Sequence, residues 1–383
     1  MRAIRWTKKH IVSLLAIILM GVLMILPTGY EDALIYQGTE RVRAKVTETD
    51  ESSVYNNGLI QSGEQYCKVE ILDGEFKGEN SSAVNMLSGS LESDKIFKVG
   101  DIANVVISHK NGEILSITMS DHYRIDKEAI LALIFVALLV FFAGRKGFRA
   151  IYSFIITILT IWKILVPAYL GGMNPVWVAI GITTFLTLVI IWLVYGFDRK
   201  TLAASGGSML GVLVTCVMGI LFTDQFKIHG AVMAYSETLL YSGYQNLNLT
   251  QIFMSSIFFG ASGAMMDLSV DITSAVYEVI QKKPEIGWKE AAQSGMNVGR
   301  AAMGTMTTTL LLAYSGGYIA LLMVFMAQGT PIDQILNYKY VSAEILDTVV
   351  GSMGLVTVAP FTALVSGILL TRKKKDQVTI KES

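Results

Sequence analysis

The sequence predicts an α-helical polytopic membrane protein with about eight transmembrane helices and a small extracytoplasmic β-barrel or sandwich (OB-like) insert. Three observations predict it. First, the chain has 383 residues, of which 52% are hydrophobic and only 16% charged, whereas a soluble globular protein carries about a quarter charged residues. Second, several apolar runs approach or exceed the roughly 20 residues that cross a bilayer. Third, the polar residues are concentrated in one block, residues 30–126, where short β-branched segments alternate with turn signals. The formal net charge is zero, which says little, because the charges are sorted by position. Cys67 lies in the polar block and Cys216 in an apolar run, so no disulfide framework or cysteine-based metal site is available.

Residues 1–29 read as a cytoplasmic basic N-terminus and a signal-anchor helix. Arg2, Arg5, Lys8 and Lys9 precede an apolar run over 11–26, and Pro27-Thr28-Gly29-Tyr30 follows where a small-x-small cleavage site would stand. Residues 30–126 form the β-rich domain. Segments 40–48, 66–72, 102–108 and 114–119 are partly alternating. Asp73-Gly74, Lys77-Gly78, Val99-Gly100-Asp101 and Asn111-Gly112 separate them, the last as a two-residue hairpin turn. An OB-like barrel is the natural reading, although short strands of this number fit several folds.

Residues 127–371 read as a seven-helix bundle, with spans at 129–143, 151–170, 176–195, 202–222, 251–280, 301–327 and 341–370. The segment 228–241 reads as a surface or re-entrant helix. Residues 372–383 form a basic cytoplasmic tail. Basic residues set the orientation. Arg145, Lys146 and Arg149, then Arg199 and Lys200, then Lys282, Lys283 and Lys289, then Arg372 to Lys375, mark every second loop. The alternate loops hold little beyond Lys227 and Lys339. Both termini are therefore expected in the cytoplasm and the β domain outside, with the chain in the cell membrane.

The stretch that most needs explanation runs from Gly260 to Glu278. A helix turns by roughly 100° per residue, so Gly260, Gly263, Asp267, Asp271, Ser274 and Glu278 fall on one stripe of about 80°. The opposite face carries Phe259, Met265, Met266, Leu268, Val270, Ile272 and Val276. A carboxylate at the centre of a bilayer costs a few kcal/mol or more, so it is hidden from lipid and usually has a task. The last span repeats the device with Glu344, Asp347, Gly351 and Gly354. Small-residue stripes (Ser208, Gly211, Thr215, Gly219; Gly295, Gly299, Ala302, Thr309, Ala313) let helices approach closely. They are expected to pack against the acids and supply oxygen atoms. Asp267, Asp271, Glu278, Glu344 and Asp347 are thus the candidate transport or ion-binding residues, with Asp267 and Asp271 the candidate metal ligands. Gly260, Gly263, Ser274, Gly295, Gly299, Arg300, Gly304 and Thr305 are assigned to supporting helix packing.

Plainer readings stand beside these. Asp267 and Asp271 could simply bond Ser262, Ser269 or Thr273. Glu278 could pair with Arg300 across the cytoplasmic end. Glu344 and Asp347 could be solvated residues at a helix start, where carboxylates suit the dipole. Lys163 reads as a snorkelling side chain, and Met265-Met266 as packing rather than soft-metal ligation. No His-Glu-x-x-His, Walker loop or Gly-x-Ser-x-Gly elbow is present. His10, His109, His122 and His229 all lie outside the spans. No enzymatic activity and no cofactor are expected, and no nucleic acid partner; the lipid bilayer is the surrounding medium.

The run Gly260-Ala261-Ser262-Gly263-Ala264-Met265-Met266-Asp267, followed by Ser269, Asp271, Ser274 and Glu278, resembles the YibE/YibF-like membrane proteins of bacteria. So do Ser294 to Arg300 (SGMNVGR), Met303-Gly304-Thr305-Met306 and Leu310 to Gly316 (LLLAYSG). In the insert, Val69 to Gly74 with Lys77-Gly78, and Lys98 to Asp101, agree as well. Thr307-Thr308-Thr309 departs from the pattern, where an asparagine is expected. The resemblance implies architecture and location rather than an activity. It also implies a paired YibE/YibF-like subunit or a homo-oligomer. Three functions are weighed: a gradient-driven transporter or exporter of a small cation or proton-coupled solute; a non-transporting scaffold whose β domain binds a protein or envelope component; and an intramembrane hydrolase, which needs a second acid facing Asp267 from another helix.

Overall fold

A computed structural model describes residues 8–30 and 38–379, without the side chains of residues 8–10, 145 and 372–379. Arg2, Arg5 and the end of the tail lie outside the described residues, as do the side chains of Arg145 and Arg372 to Lys375. The chain divides into two compact units, Gly29–Ala143 and Met1–Thr28 with Gly144–Ser383.

The first unit is a closed five-stranded barrel followed by a helix. Strands β1 (Thr39–Asn57), β2 (Ile60–Ile71), β3 (Asn80–Ser88), β4 (Ile102–Lys110) and β5 (Glu113–His122) close in the order β1-β2-β3-β5-β4. β5 runs antiparallel to β4 and parallel to β3, a crossed connection that suits the expected OB-like barrel. Alternation builds the core. Val42, Ala44 and Val46 of β1, Val69 and Ile71 of β2, and Ala103, Val105 and Ile107 of β4 all face inward. β1 is long, and its pairing with β2 shifts register between Val46 and Glu48 and between Asp50 and Ser53, which bends it around the barrel. Asn111 and Gly112 both have positive φ, 55° and 80°, the geometry of the expected tight hairpin. β3 has no counterpart among the expected segments: its inward positions include Ala83 and the polar Asn85, a weak hydrophobic alternation.

That Asn85 is buried with Gln65, and both amide nitrogens and the Gln65 oxygen are hydrogen-bonded. Gln65 donates to the Phe97 carbonyl at 2.8 Å and accepts from the Phe97 amide at 3.0 Å. Asn85 donates to Gln65 at 3.1 Å and to the Lys95 carbonyl at 2.6 Å. These bonds hold the 95–97 segment across the barrel, with Phe97 as a fully buried plug. Helix α2 (Ile125–Ala143), which the sequence grouped with the bundle, falls in this same compact unit.

The second unit is helical. It contains α1 (Lys8–Ile25), α3 (Arg145–Thr160), a π-helical turn (Ile161–Leu165), α4 (Val166–Leu170), α5 (Pro175–Tyr195), α6 (Arg199–Gln225), α7 (Ser236–Tyr241), α8 (Leu249–Lys282), α9 (Trp288–Ser315), α10 (Ile319–Ala327), α11 (Ile332–Asn337) and α12 (Lys339–Thr379). Among the described residues, six stretches are long and apolar enough to cross a membrane: Lys146–Leu170, Pro175–Tyr195, Arg199–Gln225, Leu249–Lys282, Trp288–Ala327 and Lys339–Thr371. The sequence sets their ends. Asn174 caps α5 by accepting from the Val176 and Trp177 amides, with Pro175 at the first helical position. Asn248 caps α8 through the Gln251 amide. Pro167 has no N–H to give, and the turn before it loosens so that the Val166 amide bonds Ile161. Lys163 sits in that turn, half-buried. Between α6 and α8 the chain forms a short 3₁₀ turn (Gly230–Val232) and α7 rather than one helix over 228–241.

α12 is the centre of the packing. Gly207 and Gly211 of α6 lie against Thr362 and Val358, and Thr215 against Gly354, so α6 runs antiparallel to α12. Ala261 of α8 lies against Gly351, Ser269 meets Thr362 and Thr273 meets Ser366, each hydroxyl pair at 3.0 Å, so α8 runs parallel to it. Gly299 and Gly295 of α9 lie against Ala359 and Ala363, again antiparallel. Close approach at these glycines leaves no room for a side chain.

Candidate functional site

Glu344 and Asp347 project from α12 one turn apart. A solvated helix start would leave their oxygens in water. Instead Glu344 Oε1 and Asp347 Oδ1 are buried and have no hydrogen-bond partner among the described residues. A buried polar atom left unpaired costs about 1–3 kcal/mol, and more when charged. Two orphaned carboxylate oxygens in one helical turn are therefore not a packing convenience. The hydroxyls of Thr348 and Thr223 are buried and unpaired as well. By the antiparallel register of α6 and α12, Thr223 lies level with Asp347. Tyr314 and Tyr318, at the far end of α9 and just beyond it, lie within electrostatic reach of both carboxylates. The Tyr314 hydroxyl would stand 3.0 Å from a Cβ at Gly260. That explains the glycine and brings the α12 acids next to the start of the α8 stripe.

The α8 stripe itself faces the other way from the expected one. Gly260, Gly263, Asp267, Asp271 and Glu278 are exposed on the described chain, and Met265, Leu268, Ile272 and Val276 form the buried face. The small-residue faces of α6 and α9 pack elsewhere. α6 turns Gly207 and Gly211 to α12, and α9 turns Gly295 and Gly299 to Ile272, Val276, Ala359 and Ala363. Small residues in a membrane-type bundle gain most from dispersion against branched apolar neighbours, and that preference overrides the meeting of glycines with acids that the stripes suggested. Nor do the acids bond nearby hydroxyls. Ser262 bonds its own helix at Phe259, Ser269 bonds Thr362, and Thr273 bonds Ser366.

The remaining expected residues separate in the same way. Ser274 bonds the Tyr195 hydroxyl at 2.7 Å, and that hydroxyl also reaches the Val270 carbonyl at 2.5 Å, tying α5 to α8. No ion pair joins Glu278 to Arg300. Gly299 packs on Ile272, which sets Arg300 level with Asp271, about two turns from Glu278. Gly263 and Gly304 have open space where a Cβ would stand, and Thr305 is exposed with its hydroxyl on the Ala302 carbonyl. These three therefore support no packing within the chain. Met265 is fully buried, with the Thr215 hydroxyl 3.9 Å from its sulfur, a packing position. Among the described residues no group of three or more His, Cys, Asp or Glu is placed to hold a metal ion.

Tyr195 and Tyr314 are the site residues that sequence reasoning missed. In the sequence Tyr195 only ends an apolar span. Tyr314 lies in LLLAYSG, a segment noted for its resemblance but not for its phenol. Its signal was an aromatic hydroxyl near the end of an otherwise apolar span.

The two sets of acids are separate along the bundle. Counting from the Ala261–Gly351 contact, at 1.5 Å per residue, Asp347 and Asp267 are about 15 Å apart in height. No single ion touches both.

Comparison with curated proteins and with solved structures returned no match. A family model described as YibE/F-like protein matches residues 131–372, from within α2 to α12. That interval is well over half of the chain and holds every acid of both sets; the chain belongs to the YibE/F-like protein family.

Proposed function

We propose that the chain is a gradient-driven transporter of a small cation or a proton-coupled solute, with Glu344 and Asp347 as its binding or protonation pair. One observation carries the reading: the buried, unpartnered oxygens of these two carboxylates. An ionisable group inside a membrane span marks an ion or proton path by default. Hard cations seek oxygen ligands, and two acids one turn apart beside the orphaned Thr348 hydroxyl supply them. Asp267 and Asp271 extend the path along α8, and Glu278 ends it.

The topology that fits is eight passes in the cell membrane. α1 and α2, short but strongly apolar, join the six long spans. Both termini lie in the cytoplasm and the barrel lies outside. The alternation of Lys/Arg-rich loops supports this arrangement. The test is flux in sealed vesicles that contain the full chain and a pH- or cation-sensitive dye. The double variant Glu344→Gln/Asp347→Asn is expected to insert normally and lose flux by about tenfold or more, the size of one lost charge-assisted contact. Undiminished flux, or a wild-type chain that moves neither protons nor any small cation, overturns the proposal.

A further inference from the structure

The turn from α5 into α6 frames a groove of about 600 Å³ that takes no part in the arrangement around the α12 acids. Leu188, Val189 and Trp192 of α5, Phe197 of the connection and Leu202 of α6 line it. The Trp192 and Phe197 rings meet with their centroids 5.1 Å apart. From Leu188 to Gly196 the groove follows α5 for about 12 Å, and its walls there are apolar. Asp198 and Arg199 stand at its end. The groove is therefore amphipathic, apolar along the helix and charged where the helix stops.

The polar groups at that end decide the sign of the occupant. Asp198 is engaged twice: it accepts from the Arg199 amide at 2.6 Å and lies 3.8 Å from the Lys200 ammonium. Lys200 in turn sits over the Tyr195 and Tyr277 rings, at 5.0 and 4.2 Å. The Thr201 hydroxyl donates to the Gly196 carbonyl at 2.7 Å. Arg149 donates to the Leu193 carbonyl at 3.2 Å and adds positive charge at the same end of α5. The Arg199 guanidinium has no hydrogen bond or ion pair among the described residues. Its planar fork of N–H donors matches a phosphate group. A zwitterionic headgroup would also need a free carboxylate for its cation, and Asp198 is already paired. α5 and α6 both have the length and composition to cross a membrane, so acyl chains are the natural filling of the apolar part. Tryptophan favours the boundary between acyl chains and headgroups, and basic pockets between spans take anionic headgroups. We propose that this groove binds one anionic phospholipid, with an acyl chain along Leu188, Trp192 and Leu202 and its phosphate on Arg199. The inference does not depend on transport: it concerns what fills the α5–α6 groove, whatever passes along α12.

Native mass spectrometry tests it, on the full chain purified in neutral detergent and offered phosphatidylglycerol or phosphatidylcholine with the same acyl chains. The unmodified chain is expected to retain one phosphatidylglycerol, in preference to phosphatidylcholine by about fivefold, the effect of one basic residue. Arg199→Gln should erase that preference. Lys282→Gln, at an exposed cation elsewhere in the bundle, should leave it intact. Soluble glycerol phosphate should not displace the lipid, because it lacks the acyl chain. A second measurement holds whether or not Arg199→Gln folds. Phosphatidylglycerol brominated on its acyl chains should quench the tryptophan fluorescence of the unmodified chain more than brominated phosphatidylcholine does, and Trp192→Phe should remove the excess. The proposal is overturned by equal retention of the two lipids, by a Lys282→Gln chain as impaired as Arg199→Gln, by displacement with glycerol phosphate, which marks a site for a free anion, or by excess quenching that survives Trp192→Phe.

Discussion

The barrel and the bundle treat buried polar atoms in opposite ways. In the barrel, Gln65 and Asn85 are sunk in the core with their amide groups engaged by each other, Phe97 and Lys95. In the bundle lie all the buried side-chain polar atoms that lack a partner among the described residues: Glu344 and Asp347, with Thr183, Thr187, Trp192, Ser205, Ser208, Thr223 and Thr348. A satisfied network fixes one structure. An unsatisfied one is tolerated where the missing partner arrives with function. The barrel's polar core is satisfied, and the α12 acids are not.

Perturbing the two regions should therefore give effects of different sign. The largest effect is expected where backbones touch. A Cβ at Gly207 would fall 2.6 Å from the Thr362 Cα, and backbone cannot step aside. Gly207→Val should cost about 3 kcal/mol or more and abolish the monodisperse peak of the solubilised chain in size exclusion. Next, Gln65→Ala strips partners from the Phe97 amide and carbonyl and from Asn85. About 3 kcal/mol should be lost, read as faster hydrogen exchange in β3 and residues 95–98 of the intact protein. The same chemistry in the bundle should do the reverse: Glu344→Gln/Asp347→Asn removes orphaned charge, so thermal stability holds or rises while function is lost. A matching loss of stability there would erase the contrast.

A smaller effect follows from pH. Hydrogen bonds from Arg43 hold the Asp73 carboxyl below the usual range; the Ser52 amide does so for Asp50, Ser88 and the following amides for Asp94, and Arg124 for Asp121. Each folded value lies below its unfolded one. The stability they contribute is thus complete above about pH 4 and is lost as pH falls through the folded values. Hydrogen exchange should loosen in the barrel on acidification below about pH 4. The smallest effect concerns Cys67, whose thiol is pushed up to about 11 by burial. It should resist maleimide until the barrel opens.

Much of this was legible in the sequence. Length and apolarity gave the long spans, because a bilayer demands both. Asn111-Gly112 gave its hairpin, because few residues accept positive φ. β3 escaped because Asn85 occupies an inward position that binary patterning reserves for apolar residues, and only the partners at Gln65 and Lys95 make it tolerable. The α8 stripe was visible as a stripe, since helical spacing fixes relative angle. Its outward direction was not, because absolute rotation depends on which neighbour each face prefers. Gly295 and Gly299 chose Ile272 and Val276 over the acids. The surroundings of Glu344 and Asp347 depend on Tyr314 and Thr223 arriving from distant segments, and no local pattern encodes that.

The central claim is that Glu344 and Asp347 change partners or protonation as cargo passes. Infrared difference spectroscopy of the reconstituted chain, recorded as a cation or pH gradient is imposed, reads it directly. The account predicts a carboxyl band that appears or vanishes with the gradient in the unmodified chain and is missing in Glu344→Gln/Asp347→Asn. A difference spectrum unchanged by the double substitution would contradict it.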